Sequence, residues 1–194
     1  MAIAHRNAQV GGRALIEHGA RLAAIAGLLT LAGCQPKPEV TWTRHSSRSE
    51  KFTVLMPSKP VSRRYPADPV AKTSERIALI SNHGDASYRV DFTDFGKPRT
   101  GEWATRSLDS ARDYLLTGKG WTLREERRIT LDGFPGRRLT FDVFNPEDRI
   151  PFIASTRLFM VRGDFYQITV VVPKAQSDSP DVDRFLGSFQ LIQH

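Results

Sequence analysis

The stretch from Trp121 to Val172 constrains the chain most. Leu139, Phe141 and Val143 alternate there with Arg138, Thr140 and Asp142. A period of two sends successive side chains to opposite faces, so this run is a strand with one buried face. Asp132-Gly133-Phe134-Pro135-Gly136 separates it from the run Trp121 to Leu131, and Asn145-Pro146-Glu147-Asp148 ends it. Gly163-Asp164 then joins Ile150–Val161 to Phe165–Val172 as a two-residue hairpin signal. Turns this tight join antiparallel neighbours, because a parallel crossover needs roughly a dozen residues or more.

The first half adds strands of the same kind. Lys51 to Met56 is a strand candidate stopped by Pro57 and Pro60, whereas Val61 to Ala67 is ambiguous. Glu75–Ser81 and Ser87–Phe95 face each other across Asn82-His83-Gly84-Asp85, with Tyr88, Val90 and Phe92 on one face of the second. The period changes over residues 101–117. Ala104, Leu108, Ala111 and Leu115 make one helical stripe, with Thr100 as cap, Glu102 at the positive end and Gly118 at the stop. Ser179-Pro180 opens a last helix, whose stripe is Val182, Phe185, Leu186 and Phe189. The expected class is α+β, an antiparallel β-sheet flanked by helices, in one domain over residues 50–194.

Ahead of that domain the chain reads as an address. Arg6, Arg13 and Arg21 face one acid, Glu17, and Leu22–Leu31 carries no charge. A basic segment followed by a short apolar run is a secretory signal. The run is about half the ~20 residues that span a bilayer. It ends in Leu31-Ala32-Gly33-Cys34, which resembles the lipobox of bacterial lipoproteins. The resemblance implies cleavage between Gly33 and Cys34, diacylglycerol on the Cys34 thiol and acylation of the new N-terminus. The expected organisation is a signal peptide at 1–33, a polar tether at 34–49 and the domain after it. Within the tether Trp42 stands out as a residue suited to packing on the domain or to an interface. Gln35 is not the aspartate that resembles an inner-membrane retention signal, so the outer membrane is the expected site where there are two.

Charge and motifs exclude much chemistry. The whole chain has a formal charge of +7. Without residues 1–33 that falls to about +5, because three arginines and one glutamate lie there. Arg124-Glu125-Glu126-Arg127-Arg128 mixes both signs, whereas a nucleic-acid binder shows a one-sign stripe, so no nucleic-acid partner is expected. Cys34 is the single cysteine, so no disulfide forms within the chain. His45, His83 and His194 are isolated, and neither HExxH nor G-x-S-x-G occurs. Gly96-Lys97-Pro98 and Gly118-Lys119-Gly120 read as turns, and so does Arg162-Gly163-Asp164 at its hairpin tip. Asp91 and Asp94, three apart on a strand, point to opposite faces and make no acid–base pair. Arg63-Arg64, Arg127-Arg128 and Arg137-Arg138 read as solvated faces, or else as a surface for acidic lipids or an acidic partner. No catalytic residue, metal ligand or cofactor is assigned.

Phe52-Thr53-Val54-Leu55-Met56-Pro57 with Pro60, the turn Gly133-Phe134-Pro135-Gly136, the hairpin through Arg157-Leu158-Phe159 and Tyr166-Gln167-Ile168-Thr169-Val170, and the ending Phe185-Leu186-Gly187-Ser188-Phe189 together resemble the PsbP-like and Mog-like superfamily. The resemblance covers residues 50–192 and implies an α/β/α sandwich that acts as an interaction module. The leading expectation is a membrane-anchored envelope lipoprotein whose domain binds or scaffolds an envelope protein. A small-ligand carrier with a pocket between sheet and helix, and an enzyme with a dispersed site, stay open beside it. If the lipobox reading holds, Cys34→Ser abolishes incorporation of labelled lipid. Intact mass spectrometry that finds an unmodified Cys34 in the native protein would end it.

Overall fold

The computed structural model describes residues 40–67, 74–98, 100–118, 120–144 and 150–192. Gly33 and Cys34, the turn at 145–148 and His194 lie outside the described residues. The strands are β1 (Thr43–Ser47), β2 (Phe52–Met56), β3 (Val61–Tyr65), β4 (Arg76–His83), β5 (Ala86–Asp94), β6 (Trp121–Leu131), β7 (Phe134–Phe144), β8 (Pro151–Val161), β9 (Asp164–Pro173) and β10 (Gln190–Leu191). Two α-helices, α1 (Glu102–Leu116) and α2 (Pro180–Gly187), and a single 3-10 turn at Lys174–Gln176 complete the described elements.

Seven strands form one sheet in the order β3-β4-β5-β9-β8-β7-β6, and three form another in the order β1-β2-β10. Every pairing is antiparallel, as the short turns require. The expected α+β class, an antiparallel sheet flanked by helices, is what the chain adopts.

The alternation read from the sequence sorts the core into two layers. On one face of the large sheet α1 lays Ala104 and Leu108 on Leu139, Phe141, Ala154, Leu158 and Met160. On the other face α2 and β2 pack Phe185, Leu186, Phe52 and Val54 against Tyr88, Val90, Phe159, Tyr166 and Ile168. The second flank is therefore a helix together with the small sheet. Where the alternative carrier reading places a pocket between sheet and helix, aromatic rings pack under α2. Phe52 stacks on Phe189 at 5.4 Å, and Tyr88 meets Phe185 edge-on at 5.2 Å.

Both helices begin and end for local reasons. Ser179 caps α2, its Oγ accepting from the Asp181 amide, with Pro180 in the first turn as expected. For α1 the cap differs from the expected Thr100. The position belongs to Gly101, whose φ of 55° is left-handed, and no side chain caps it. Its stop is as read, with the Gly118 amide bonding to the Leu115 carbonyl just past the last turn.

Three further readings are corrected, and one left open is settled. Residues 43–47, read as tether, pair with β2 over their whole length, and Trp42 packs edge-on against Tyr88 at 5.6 Å. The folded part therefore begins near Trp42 and not near residue 50. Val61–Tyr65 is a strand, because β4 offers it a partner edge. The turn after β6 is Asp132-Gly133 alone, and Phe134 to Gly136 already pair with β6. A Cβ on Gly136 would lie 2.5 Å from the Leu158 carbonyl oxygen, so that glycine answers a close strand approach and not a bend. Finally, Arg137 is no solvated residue. Period two turns it under α1, where it is 6% exposed and bonds Asp109 at 2.9 Å and Glu126 at 3.1 Å. Arg112 of α1 joins the same cluster through Glu126 at 3.2 Å.

The strand directions define two ends. The chain enters at one, which we term proximal. It holds Trp42, the Gly84-Asp85 turn, the end of β7, the start of β8 and the C-terminal turn of α1. The other, distal end holds the turns at Lys51, Asp132-Gly133 and Arg162-Gly163.

Phe185 is fully buried at the centre of the α2 layer. Phe185→Ala is expected to cost ~3–5 kcal/mol in urea unfolding. A loss well below that, under about 1 kcal/mol, would make α2 peripheral.

Candidate functional site

At the distal end the strand ends surround an open cleft of about 660 Å³. Four loops and the end of β10 build it: the β1–β2 turn at Lys51, Asp94 with Gly96, Lys97 and Pro98 after β5, Asp132 of the β6–β7 turn, the β8–β9 tip, and Leu191-Ile192 at β10. Its floor is apolar, with Phe134, Val161 and Tyr166. Its rim carries both signs, with Lys51, Lys97 and Arg162 among Asp94, Asp132 and Asp164.

Backbone conformation marks the rim more sharply than charge does. Lys51, Asp132 and Arg162 have φ of 59°, 50° and 60°. They are the non-glycine residues with positive φ among those described, and all three line this cleft. Asp132-Gly133 is a natural two-residue hairpin turn, since aspartate tolerates the left-handed region. Arginine and lysine do not gain from it in that way. Such conformations cost ~1–3 kcal/mol each and persist where neighbours over-determine them.

The neighbours doing so are visible. The Lys51 carbonyl accepts from the Ile192 amide at 2.8 Å, and its Nζ donates to Asp164 Oδ2 at 3.1 Å. The Gly163 carbonyl accepts from the Phe95 amide at 3.1 Å. A Cβ on Gly163 would stand 2.6 Å from the Lys97 carbonyl oxygen, so only glycine fits beside that loop. Asp94 Oδ1 accepts from the Gly96 amide at 2.6 Å and shapes the same loop. With the backbone held, the Arg162 guanidinium lies over the Phe134 ring at 5.8 Å.

Tyr166 lies beneath the cleft at 1% exposure and donates its hydroxyl to the Glu50 carbonyl at 2.9 Å. Burial, and then the charges of Asp164, Glu50 and Asp94, push its ionisation well above the ordinary tyrosine range. It is a neutral anchor at neutral pH.

The residues weighed from sequence fall out as follows. Arg162-Gly163-Asp164 is a turn, one residue earlier than read: Arg162-Gly163 forms the loop, and Asp164 opens β9 and pairs with Val161. Asp91 is buried among Arg89, at 2.6 Å, and Arg76, at 3.4 Å, away from Asp94. His45 lies in β1 and His83 ends β4. Among the described residues no group of three metal-ligating side chains forms. No described helix is long and apolar enough to cross a membrane. Arg127, Arg138 and Arg157 stand directly across from one another on three neighbouring strands. Arg127 pairs with Glu125, while Arg157 donates to the Leu186 carbonyl at the C-terminal end of α2.

Compared with solved structures, the chain matches cyanobacterial PsbP (CyanoP) of Synechocystis at a TM-score of 0.52 and 16% identity. The match covers 83% of this chain and 98% of that one. The chain has a PsbP-like fold. Two further likenesses are weaker. The Ran-binding protein Mog1p of Saccharomyces cerevisiae gives a TM-score of 0.45 at 11% identity, over 80% of this chain and 97% of that one. LpqN of Mycobacterium tuberculosis, involved in cell envelope biogenesis, gives 0.43 at 15% identity, over 81% and 82%. No protein-family model and no curated protein sequence matches the chain.

Releasing the strain at the β8–β9 tip is expected to stabilise the domain. Arg162→Gly removes a left-handed arginine that costs roughly 1–2 kcal/mol. Part of that gain is offset by the entropy of glycine. A higher urea midpoint would bear this out, and a lower one would show that the arginine side chain contributes more than its backbone costs.

Proposed function

We propose that this chain is an exported bacterial lipoprotein, held by lipid on Cys34 to the periplasmic face of a membrane, the outer one where there are two. In this reading its single folded domain docks another envelope protein and performs no chemistry of its own. The observation that carries the docking role is the distal cleft. It pairs an apolar floor with a two-sign rim, and its strained tip lies at the far end from where the chain enters the domain. A domain tethered at its proximal end presents such a cleft to partners and not to the membrane. Strained residues held by their surroundings concentrate at binding sites and clamps. A rim of mixed charge favours selection of a partner by electrostatic complementarity.

A second reading has its own support. The cleft volume falls within the ~300–1,000 Å³ typical of small-molecule sites. The carrier role would then use the distal cleft and not a pocket under α2.

Pull-down with the lipidated protein from its own envelope decides between them. One specific protein is expected, lost in Arg162→Glu and weakened as salt shortens the Debye length to ~3 Å at ~1 M. A small molecule that survives into native mass spectrometry, with no protein captured, favours the carrier. Turnover that disappears on replacing one polar cleft residue would overturn both in favour of an enzyme.

A further inference from the structure

Four of the large apolar residues at the surface gather at the proximal end. Tyr114 is 71% exposed, Phe144 56%, Ile150 47% and Leu116 38%. Tyr114 and Leu116 lie in the last turn of α1, Phe144 ends β7, and Ile150 precedes β8. The chain holds these pieces together. The Phe144 amide donates to the Gly120 carbonyl at 2.9 Å. A Cβ on Gly120 would fall 2.0 Å from the Phe144 carbonyl oxygen, so the two backbones touch. Gly118 lies against the Trp121 ring, 3.1 Å from where its Cβ would be, which brings the end of α1 to the same place. Phe144 is paired with Pro151, the neighbour of Ile150. The other two such residues lie elsewhere, Val61 on the edge strand β3 and Trp103 in the first turn of α1.

We propose that this end of the domain rests on the lipid bilayer, with these four side chains in the headgroup region. The inference rests on the lipid anchor at Cys34 proposed above. What selects the bilayer as occupant is the length of chain before the fold and where it arrives. Val40 lies six positions after Cys34, and fully extended that span reaches about 20 Å. They arrive at Trp42, which packs on Tyr88 of β5. In sheet order β7 is three strands from β5, about 15 Å at the strand spacing. A lipid on Cys34 therefore keeps Val40, where the chain enters the proximal end, within about 20 Å of the membrane surface, with Phe144 about 15 Å across that same end. A phenol, a phenyl ring and two aliphatic side chains suit that interface, where amphipathic and apolar rings settle at headgroup depth. The cleft then faces away from the bilayer, at the distal end.

The test uses the full lipidated chain on vesicles of phosphatidylethanolamine and phosphatidylglycerol. Cys34 is the single cysteine and its thiol carries lipid, so a cysteine introduced elsewhere takes a nitroxide alone. A label at Phe144→Cys is expected to gain collisions with oxygen and lose collisions with a water-soluble nickel chelate. A label at Thr130→Cys, exposed near the distal end of β6, stays in water. Tyr114→Ser together with Ile150→Ser restores nickel access at 144 while the lipid mass is unchanged. Equal nickel access at both positions, with lipid confirmed by mass and the protein floating with the vesicles, overturns the bilayer contact and leaves the anchor standing. A label at 144 shielded from both reagents overturns it in favour of a protein or a second copy on this end. An unmodified Cys34 overturns the anchor and this inference together.

Discussion

Tyr166 is the point on which the two layers of the domain depend. It belongs to β9 in the middle of the large sheet, yet its ring meets Phe52 of β2 at 6.1 Å and Phe189 at 5.4 Å. Its hydroxyl reaches the Glu50 carbonyl in the turn before β2. One side chain thus ties the large sheet, the small sheet and the segment after α2. The same ring lies under the distal cleft, so the shape of the site is set by the packing of the core. With no disulfide available, an interior at native packing density has to hold those positions.

Polar interactions take a different part. The cluster of Arg137, Asp109, Glu126 and Arg112 fastens α1 to β6 and β7. A buried ion pair adds little net stability, because removing the charges from water opposes their attraction. It does set register, since only one placement of α1 lets Asp109 and Arg112 meet Glu126 and Arg137. The edges are kept from further pairing by charge. β6 carries Arg124, Glu125, Arg127 and Arg128, and β3 carries Arg63 and Arg64.

The large sheet and both helices were legible because their signals are local. Alternation and turn residues mark β5 to β9, and stripes at helical spacing mark α1 and α2. β1 was not legible. Thr43-Arg44-His45-Ser46-Ser47 lies on the outer edge of the small sheet and buries no residue, so no alternation is imposed on it; only β2 makes it a strand. β3 escaped a firm assignment for the same reason. The distal cleft was hidden by sequence distance, since its loops run from Lys51 to Ile192 and each alone reads as an ordinary turn. One signal was present at Arg162-Gly163. A two-residue hairpin of this kind favours glycine first, and here arginine holds that place.

The pairing of β2 has a consequence for the order in which the chain acquires structure. β2 lies between β1, near the start of the domain, and β10, only two residues long near its end. The amide of Ile192 bonds the carbonyl of Lys51 across nearly the whole domain sequence. Contacts so distant along the chain form late, because loop closure precedes any gain from them. A chain emerging N-terminus first from a ribosome cannot seat Phe189 and close β10 on β2 until residues 189–192 have emerged. The small sheet works as a completion latch. Until it shuts, Phe52 and Tyr166 lack the wall that Phe189 provides.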